Sequence, residues 1–178
     1  MKCISRIALL LLFLLQGCGT LLQTDPRSGQ QHWQDQHVAM QIGGIVNKPP
    51  YQNKTRVNAI STEGKVLLVG QAVDQTTAEQ LVADVKQLGS VKAVYNQLQI
   101  GPLPTLADVG RDSWLTTKVK AQLIASKKLR NSAVKVATEN QRVYLLGFVT
   151  REQGQIAADI ARNIDGVKHV IKAFEYTD

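Results

Sequence analysis

Cysteine, histidine and aromatic residues are scarce in this chain, and each scarcity removes a class of protein. Its 178 residues include two cysteines, Cys3 and Cys18, too few for a disulfide framework or a Cys-ligated zinc site. His32, His37 and His169 are scattered, with no carboxylate or second histidine at ligand spacing, so no metal site is expected. There is no Gly-x-Ser-x-Gly nucleophile elbow and no phosphate-cradling glycine-rich loop, so no catalytic residue, cofactor or small-molecule substrate is expected either. No Gly-X-Y period, sustained heptad or apolar run of about 18 residues occurs, which excludes collagen, coiled coil and a polytopic membrane protein. What remains, at 44% hydrophobic and 20% charged residues, is too apolar for disorder and reads as a small globular protein.

The first residues read as an export signal. Lys2 and Arg6 precede an apolar run from Ile7 to Leu15, which is too short to span a bilayer as a mature helix, and small Gly17 stands before Cys18. Leu15-Gln16-Gly17-Cys18 resembles the lipobox of bacterial lipoproteins, where cleavage precedes the cysteine and lipid is attached to it; Gln16 departs from the smaller residues usual there. On this reading residues 1–17 are removed with Cys3, Cys18 is the lipid-attachment residue, and the mature chain has no free thiol. Each buried methylene of an acyl chain contributes about 0.8 kcal/mol, so two or more chains anchor a protein stably. Gly19 stands where enterobacterial lipoproteins retained at the inner membrane carry aspartate, so the resemblance implies the periplasmic face of the outer membrane.

Beyond the anchor, one unit is written twice. A shift of 77 positions places Asp35 on Asp112, Val57 on Val134, Val66 on Val143, Leu68 on Leu145 and Gly70 on Gly147. After a one-residue deletion, a shift of 76 places Val73 on Val149, Val91 on Val167, Lys92 on Lys168 and Val94 on Val170. Each copy opens with apolar residues three or four apart, marking a helix: Val38, Ile42 and Ile45 or Val46, then Leu115, Val119 and Leu123. A hairpin follows, residues 56–60 with 65–70 and 133–138 with 142–148. A second helix (Leu81, Val82, Val85, Leu88; Ala157, Ala158, Ala161, Ile164) and an alternating strand (Val94, Leu98, Ile100; Val170, Phe174, Tyr176) close the unit. The expected class is α+β, two tandem αββαβ domains, each a three-stranded mixed sheet with two helices on one face. The boundaries read as signal peptide 1–17, lipidated tether 18–31, first domain 32–100, linker 101–111 and second domain 112–178.

The element order, the glycine ending the hairpin's second strand (Gly70, Gly147), and the endings Gly89-Ser90-Val91-Lys92-Ala93-Val94 and Gly166-Val167-Lys168-His169-Val170 resemble the BON domain. The resemblance covers nearly all of the mature chain. It implies phospholipid binding at the cell envelope and a part in outer-membrane integrity, with no catalysis.

Charge separates the copies. Residues 18–100 hold seven Lys/Arg against six Asp/Glu, net +1, and residues 101–178 hold twelve against eight, net +4. Residues 113–138 contain Lys118, Lys120, Lys127, Lys128, Arg130 and Lys135 and no acid, a one-sign field that attracts anionic surfaces. On a helix turning about 100° per residue, Leu115, Val119 and Leu123 share the core face, while Trp114, Thr117, Lys118, Ala121, Ile124 and Ala125 form a second stripe. Tryptophan settles where its ring is buried and its N–H stays wet, and lysine stems lie along lipid while the ammonium meets phosphate. The stripe's other use would be to pack against the first domain or the linker. In the first copy the corresponding helix carries Trp33, His37 and the pair Gly43-Gly44 and lacks this device; the glycines suggest either close docking of the second domain or a poorly formed helix. Pro49-Pro50-Tyr51 suggests a longer, more ordered loop than in the second copy.

The expected site is therefore Trp114, Thr117, Lys118, Lys120, Ala121, Ile124, Ala125, Lys127 and Lys128, with Cys18 as anchor. The expected partner is an anionic phospholipid membrane, with outer-membrane or division-site proteins beside it and no nucleic acid. The alternative is a non-catalytic scaffold whose same surface binds an envelope protein or peptidoglycan.

Overall fold

A computed structural model describes residues 29–130 and 132–178; the export signal, Cys18 and the tether to residue 28 lie outside the described residues. The first unit runs α1 (Gly29–Val46), β1 (Thr55–Thr62), β2 (Lys65–Ala72), α2 (Gln75–Lys86) and β3 (Ala93–Ile100). The second runs α3 (Leu106–Ala125), a 3-10 turn (Lys127–Leu129), β4 (Lys135–Glu139), β5 (Arg142–Val149), α4 (Arg151–Arg162) and β6 (His169–Tyr176). Each sheet has the order hairpin, then crossover: β1 and β2 antiparallel with β3 parallel to β2, and β4 and β5 antiparallel with β6 parallel to β5. The duplicated α+β fold is as the sequence periodicity implies.

Two repeated residues show why the copies keep the same register. Val57 pairs with Gly70 in the first hairpin, and both Gly70 (φ 135°) and Gly147 (φ 137°) occupy backbone conformations that side-chain-bearing residues avoid. A Cβ at Gly70 would lie 2.0 Å from the Arg56 carbonyl oxygen, and one at Gly147 2.0 Å from that of Ala133, so only glycine lets the neighbouring strand pass. The repeated aspartate ties first helix to hairpin. Buried Asp112 accepts the backbone N–H of Asn140 at 2.7 Å and of Gln141 at 2.9 Å, where the turn takes positive φ, and buried Asp35 accepts from the Ser61 hydroxyl at 3.1 Å.

Val38, Ile42, Val66, Leu68, Leu81 and Val85 form the first core, and Leu115, Val119, Leu123, Val143, Leu145 and Ala157 belong to the second. These are the residues on the helix-facing side of each sheet. The opposite sides, carrying Leu67 and Val69 from one sheet and Ala137, Tyr144 and Leu146 from the other, pack together into a third core. The molecule is thus layered helix, sheet, sheet, helix, with α1 and α3 on opposite outer layers. Polar contacts rim the seam: Lys65 Nζ lies 2.6 Å from Glu175, Lys135 Nζ donates to the Ser61 carbonyl at 2.7 Å, and Asn140 Nδ2 donates to Gln99 Oε1 at 3.2 Å.

Two local expectations change and a third holds. α1 runs unbroken through Gly43 and Gly44, and a Cβ on either would meet nothing within 4 Å, so the pair is neither a break nor a tight docking point for the second domain. α3 begins at Leu106, so half of the stretch read as linker is helix: Thr105 and Asp108 form a reciprocal capping box that starts it early. The loop after α1 is ordered as expected, because Tyr51 is buried and its hydroxyl donates to Asp84. Burial first, then that carboxylate, raises the Tyr51 phenol above its ordinary range.

Candidate membrane-binding surface

α3 spends one face on the core and leaves the other in water. Asp112, Leu115, Val119 and Leu123 are buried, at the spacing of a single helical stripe. On the opposite side Trp114 is 53% exposed and Ile124 49%, with Thr117, Ala121 and Ala125 exposed between and beside them. Trp114 is therefore neither stowed against the first domain nor covered by the connector. Lys118 is half-buried, and its Nζ lies over the indole, 4.3 Å from the ring centroid, in a cation–π contact.

The remaining cations are placed differently. Lys127 and Lys128 are exposed on the 3-10 turn just past the helix, while buried Leu129 pins that turn to the core. Lys120 sits on the helix flank and lines clefts with Asn58, Ile60 and Val136, so it belongs to the border with the first domain and not to the Trp114 stripe. The early start of α3 adds Leu106, 92% exposed, with exposed Ala107 and Gly110. Leu106, Gly110, Trp114, Thr117, Ala121 and Ile124 recur at steps of four, four, three, four and three, so the apolar stripe runs the length of a 20-residue helix, about 30 Å. The signal for these missed residues was Thr105-x-x-Asp108, a capping box directly after Pro102-Leu103-Pro104.

One buried acid lies beside this surface. Glu139 ends β4, and its carboxyl is pushed up to about 7, by burial first; Arg56 of the first domain opposes the shift and Asp112 adds to it. A cleft of about 350 Å³ between the sheets is walled mainly by Leu67, Tyr95, Leu146, Ile171 and Phe174, with Lys65 and Glu175 paired at its mouth. Among the described residues no His/Cys/Asp/Glu cluster could hold a metal ion, and no helix is long and apolar enough to cross a membrane.

Fold and surface together define a duplicated α+β protein with an exposed apolar, cation-bordered face on α3. Sequence comparison gives this class its family. The BON domain matches residues 34–102 and 111–178, and the chain belongs to the BON-domain family. It is similar to the outer membrane lipoprotein DolP of Haemophilus influenzae, with 37% identity over 188 residues covering 98% of this chain and 97% of that protein. It is also similar to a 21 kDa hemolysin of Actinobacillus pleuropneumoniae, 33% identical over 153 residues (85% of this chain, 79% of that one). The osmotically-inducible protein Y of Escherichia coli is 31% identical over 116 residues, 63% of this chain and 58% of its own length. The chain is a DolP-like, dual-BON outer-membrane lipoprotein.

Proposed function

We propose that this lipoprotein is held at the periplasmic face of the outer membrane through an acylated Cys18 and binds anionic phospholipid through α3, supporting outer-membrane integrity without catalysing a reaction. The observation that carries the reading is the exposed stripe from Leu106 to Ile124 with Trp114 at its middle. A soluble helix that has filled its core ordinarily turns charge to water, whereas this one turns tryptophan, leucine, isoleucine and alanine, with lysines at one border. Burying such a face in the interfacial region removes apolar surface from water, and each cation near an anionic leaflet adds about 1 kcal/mol. Residues 1–17 serve as signal peptide and 18–28 as the tether ahead of α1, and the two BON domains follow, the second opening with α3 at Leu106.

Vesicle binding tests this directly. Binding is expected to rise with the fraction of anionic lipid, to fall with salt, and to be lost in Trp114→Ala and in Lys118→Glu. Binding unchanged in both variants sinks the reading and favours a scaffold that uses the surface for an envelope protein or peptidoglycan.

A further inference from the structure

The seam between the two sheets is filled at its centre and open at one side. Leu67, Val69, Tyr144 and Leu146 are buried there, whereas their register partners on the same faces of β3 and β6 are not closed over: Tyr95 is 54% exposed, and Ile171 and Ala173 are only partly buried. The gap left between these strands is the cleft of about 350 Å³.

The cleft is amphipathic along its length. Thr62, Lys65 and Glu175 stand together at its mouth, and two residues further along β2 and β6 the lining turns to Leu67 and Ala173, with Leu146 and Ile171 beyond. One polar group at the mouth is unspent. Thr62 is 8% exposed, and its hydroxyl has no hydrogen-bond partner among the described residues. A buried hydroxyl left so is destabilising, so the position calls for an acceptor that arrives from outside. Thr62 and Lys65 are register partners across β1 and β2, which sets hydroxyl and ammonium on one face.

Size and charge narrow the occupant. At about 350 Å³ the cleft lies at the small end of ligand pockets, roughly 300–1,000 Å³, which suits one acyl chain and not the two of a diacyl phospholipid. Its mouth carries one cation and one anion, because Lys172, also on the rim, turns its Nζ to Gln155 at 3.3 Å. Such a mouth complements a head group of both signs and gives no advantage to a purely anionic one. An added peptide strand on β3 is disfavoured, since Asn96 Oδ1 already accepts the edge N–H of Leu98 at 2.9 Å.

We propose that the seam cleft binds a single-chain zwitterionic phospholipid, its chain along Leu67, Leu146 and Ile171, its phosphate on Lys65 and the Thr62 hydroxyl, and its ammonium on Glu175. Binding exchanges one ion pair for two and gives the Thr62 hydroxyl its acceptor. The exchange is easy because the side chains of Lys65 and Glu175 are 41% and 35% exposed, and pairs this open to water are weak. As an outer-membrane lipoprotein the chain is held where such lipids partition, and the site needs nothing from α3.

The test uses the acylated full chain in vesicles of diacyl phospholipid, with a lysophosphatidylethanolamine carrying a diazirine midway along its chain. After illumination, mass spectrometry is expected to find the label on β2, β3 and β6 around Leu67, Tyr95 and Ile171. Unlabelled lysophosphatidylethanolamine is expected to displace it at about a tenfold lower concentration than lysophosphatidylglycerol, a fatty acid of the same chain, or diacyl phosphatidylethanolamine. Lys65→Gln, at a half-exposed position, is expected to cut the label about tenfold. Thr62→Val is expected to cut it about threefold or more while melting no lower than wild type, because it removes an unpartnered buried hydroxyl. Label confined to α3, cleft label unchanged in both variants, equal displacement by all four lipids, or a lowered melting temperature in Thr62→Val would each overturn the site. Peptides of α3 report the bilayer contact in the same spectra: label in the cleft without label on α3 spares this inference, and the reverse spares the α3 reading.

Discussion

The Lys118 ammonium sits 4.3 Å from the centre of the Trp114 ring, one helical turn away on the same face of α3. The pair gives one stretch of helix both an apolar plane and a charge able to meet a phosphate without moving off that plane. Such a contact contributes on the order of 0.5–1 kcal/mol when exposed and more when desolvated, so its weight grows as the face enters a membrane interface.

The first prediction concerns the upstream end of that face. Leu106 makes little use of its side chain in the folded molecule, being almost fully exposed in the first turn of α3. Leu106→Ser is therefore expected to leave the melting temperature within about 1 °C of wild type while weakening vesicle affinity severalfold, as fits about 1–2 kcal/mol of lost apolar burial. Tryptophan fluorescence of Trp114 on titration with anionic vesicles, in a Trp33→Phe background, reads the affinity; equal affinity would confine the contact to the downstream half.

A second prediction tests the repeated glycine. Gly147→Ala places a methyl 2.0 Å from the Ala133 carbonyl at a φ that alanine avoids, so β4 must separate from β5. The expected loss is ~3 kcal/mol or more, visible as a lowered thermal midpoint. Gly43→Ala, with nothing within 4 Å of the new methyl and a gain in helix propensity of about 1 kcal/mol, is expected to stabilise the same protein. Equal effects of the two would remove the register argument.

Much of this was legible in the sequence. The duplication could be read because Gly70 and Gly147 forbid substitution and the valines around them hold the strand period. The α3 surface could be read because its apolar residues exceed what one core face needs. The packing of sheet on sheet was missed although it left a mark: Val66-Leu67-Leu68-Val69 and Val143-Tyr144-Leu145-Leu146 are continuous apolar runs, the pattern of strands covered on both faces. The continuity of α1 was hidden by Gly43-Gly44, whose poor helix propensity argued for a break that tertiary packing of Val38, Ile42 and Val46 overrides.

The sheet-to-sheet seam gives the third prediction. Lys65 and Glu175 join the domains at 2.6 Å but remain about 41% and 35% exposed, so their coupling in a double-mutant cycle is expected to be below about 1 kcal/mol. The central apolar residues should matter more. Leu67→Ala is expected to cost about 2–4 kcal/mol and to lower the cooperativity of unfolding as the domains begin to separate. A large coupling for the ion pair, or a negligible cost for Leu67→Ala, would mean that the rim and not the apolar centre holds the domains.

The last prediction follows from Glu139. Its carboxyl titrates at about 7 when folded, above the ordinary 4.5, because burial disfavours its charged form more than Arg56 restores it. Between those two values the folded protein binds the proton more tightly than the unfolded chain, so this residue's contribution to stability is full below about 4.5 and declines as pH rises through 7. Glu139→Gln removes the titration and keeps the shape. The variant is expected to match wild type near pH 5 and to exceed it by about 1 kcal/mol or more at pH 8, a gain of about 2–4 °C in melting temperature. Because Glu139 and Arg56 belong to different domains, the seam should loosen with rising pH in the wild type alone, which amide hydrogen exchange along β1 and β4 would report. A constant difference between the two proteins from pH 5 to 8 would show that the carboxyl is charged throughout and that Arg56 already balances its burial.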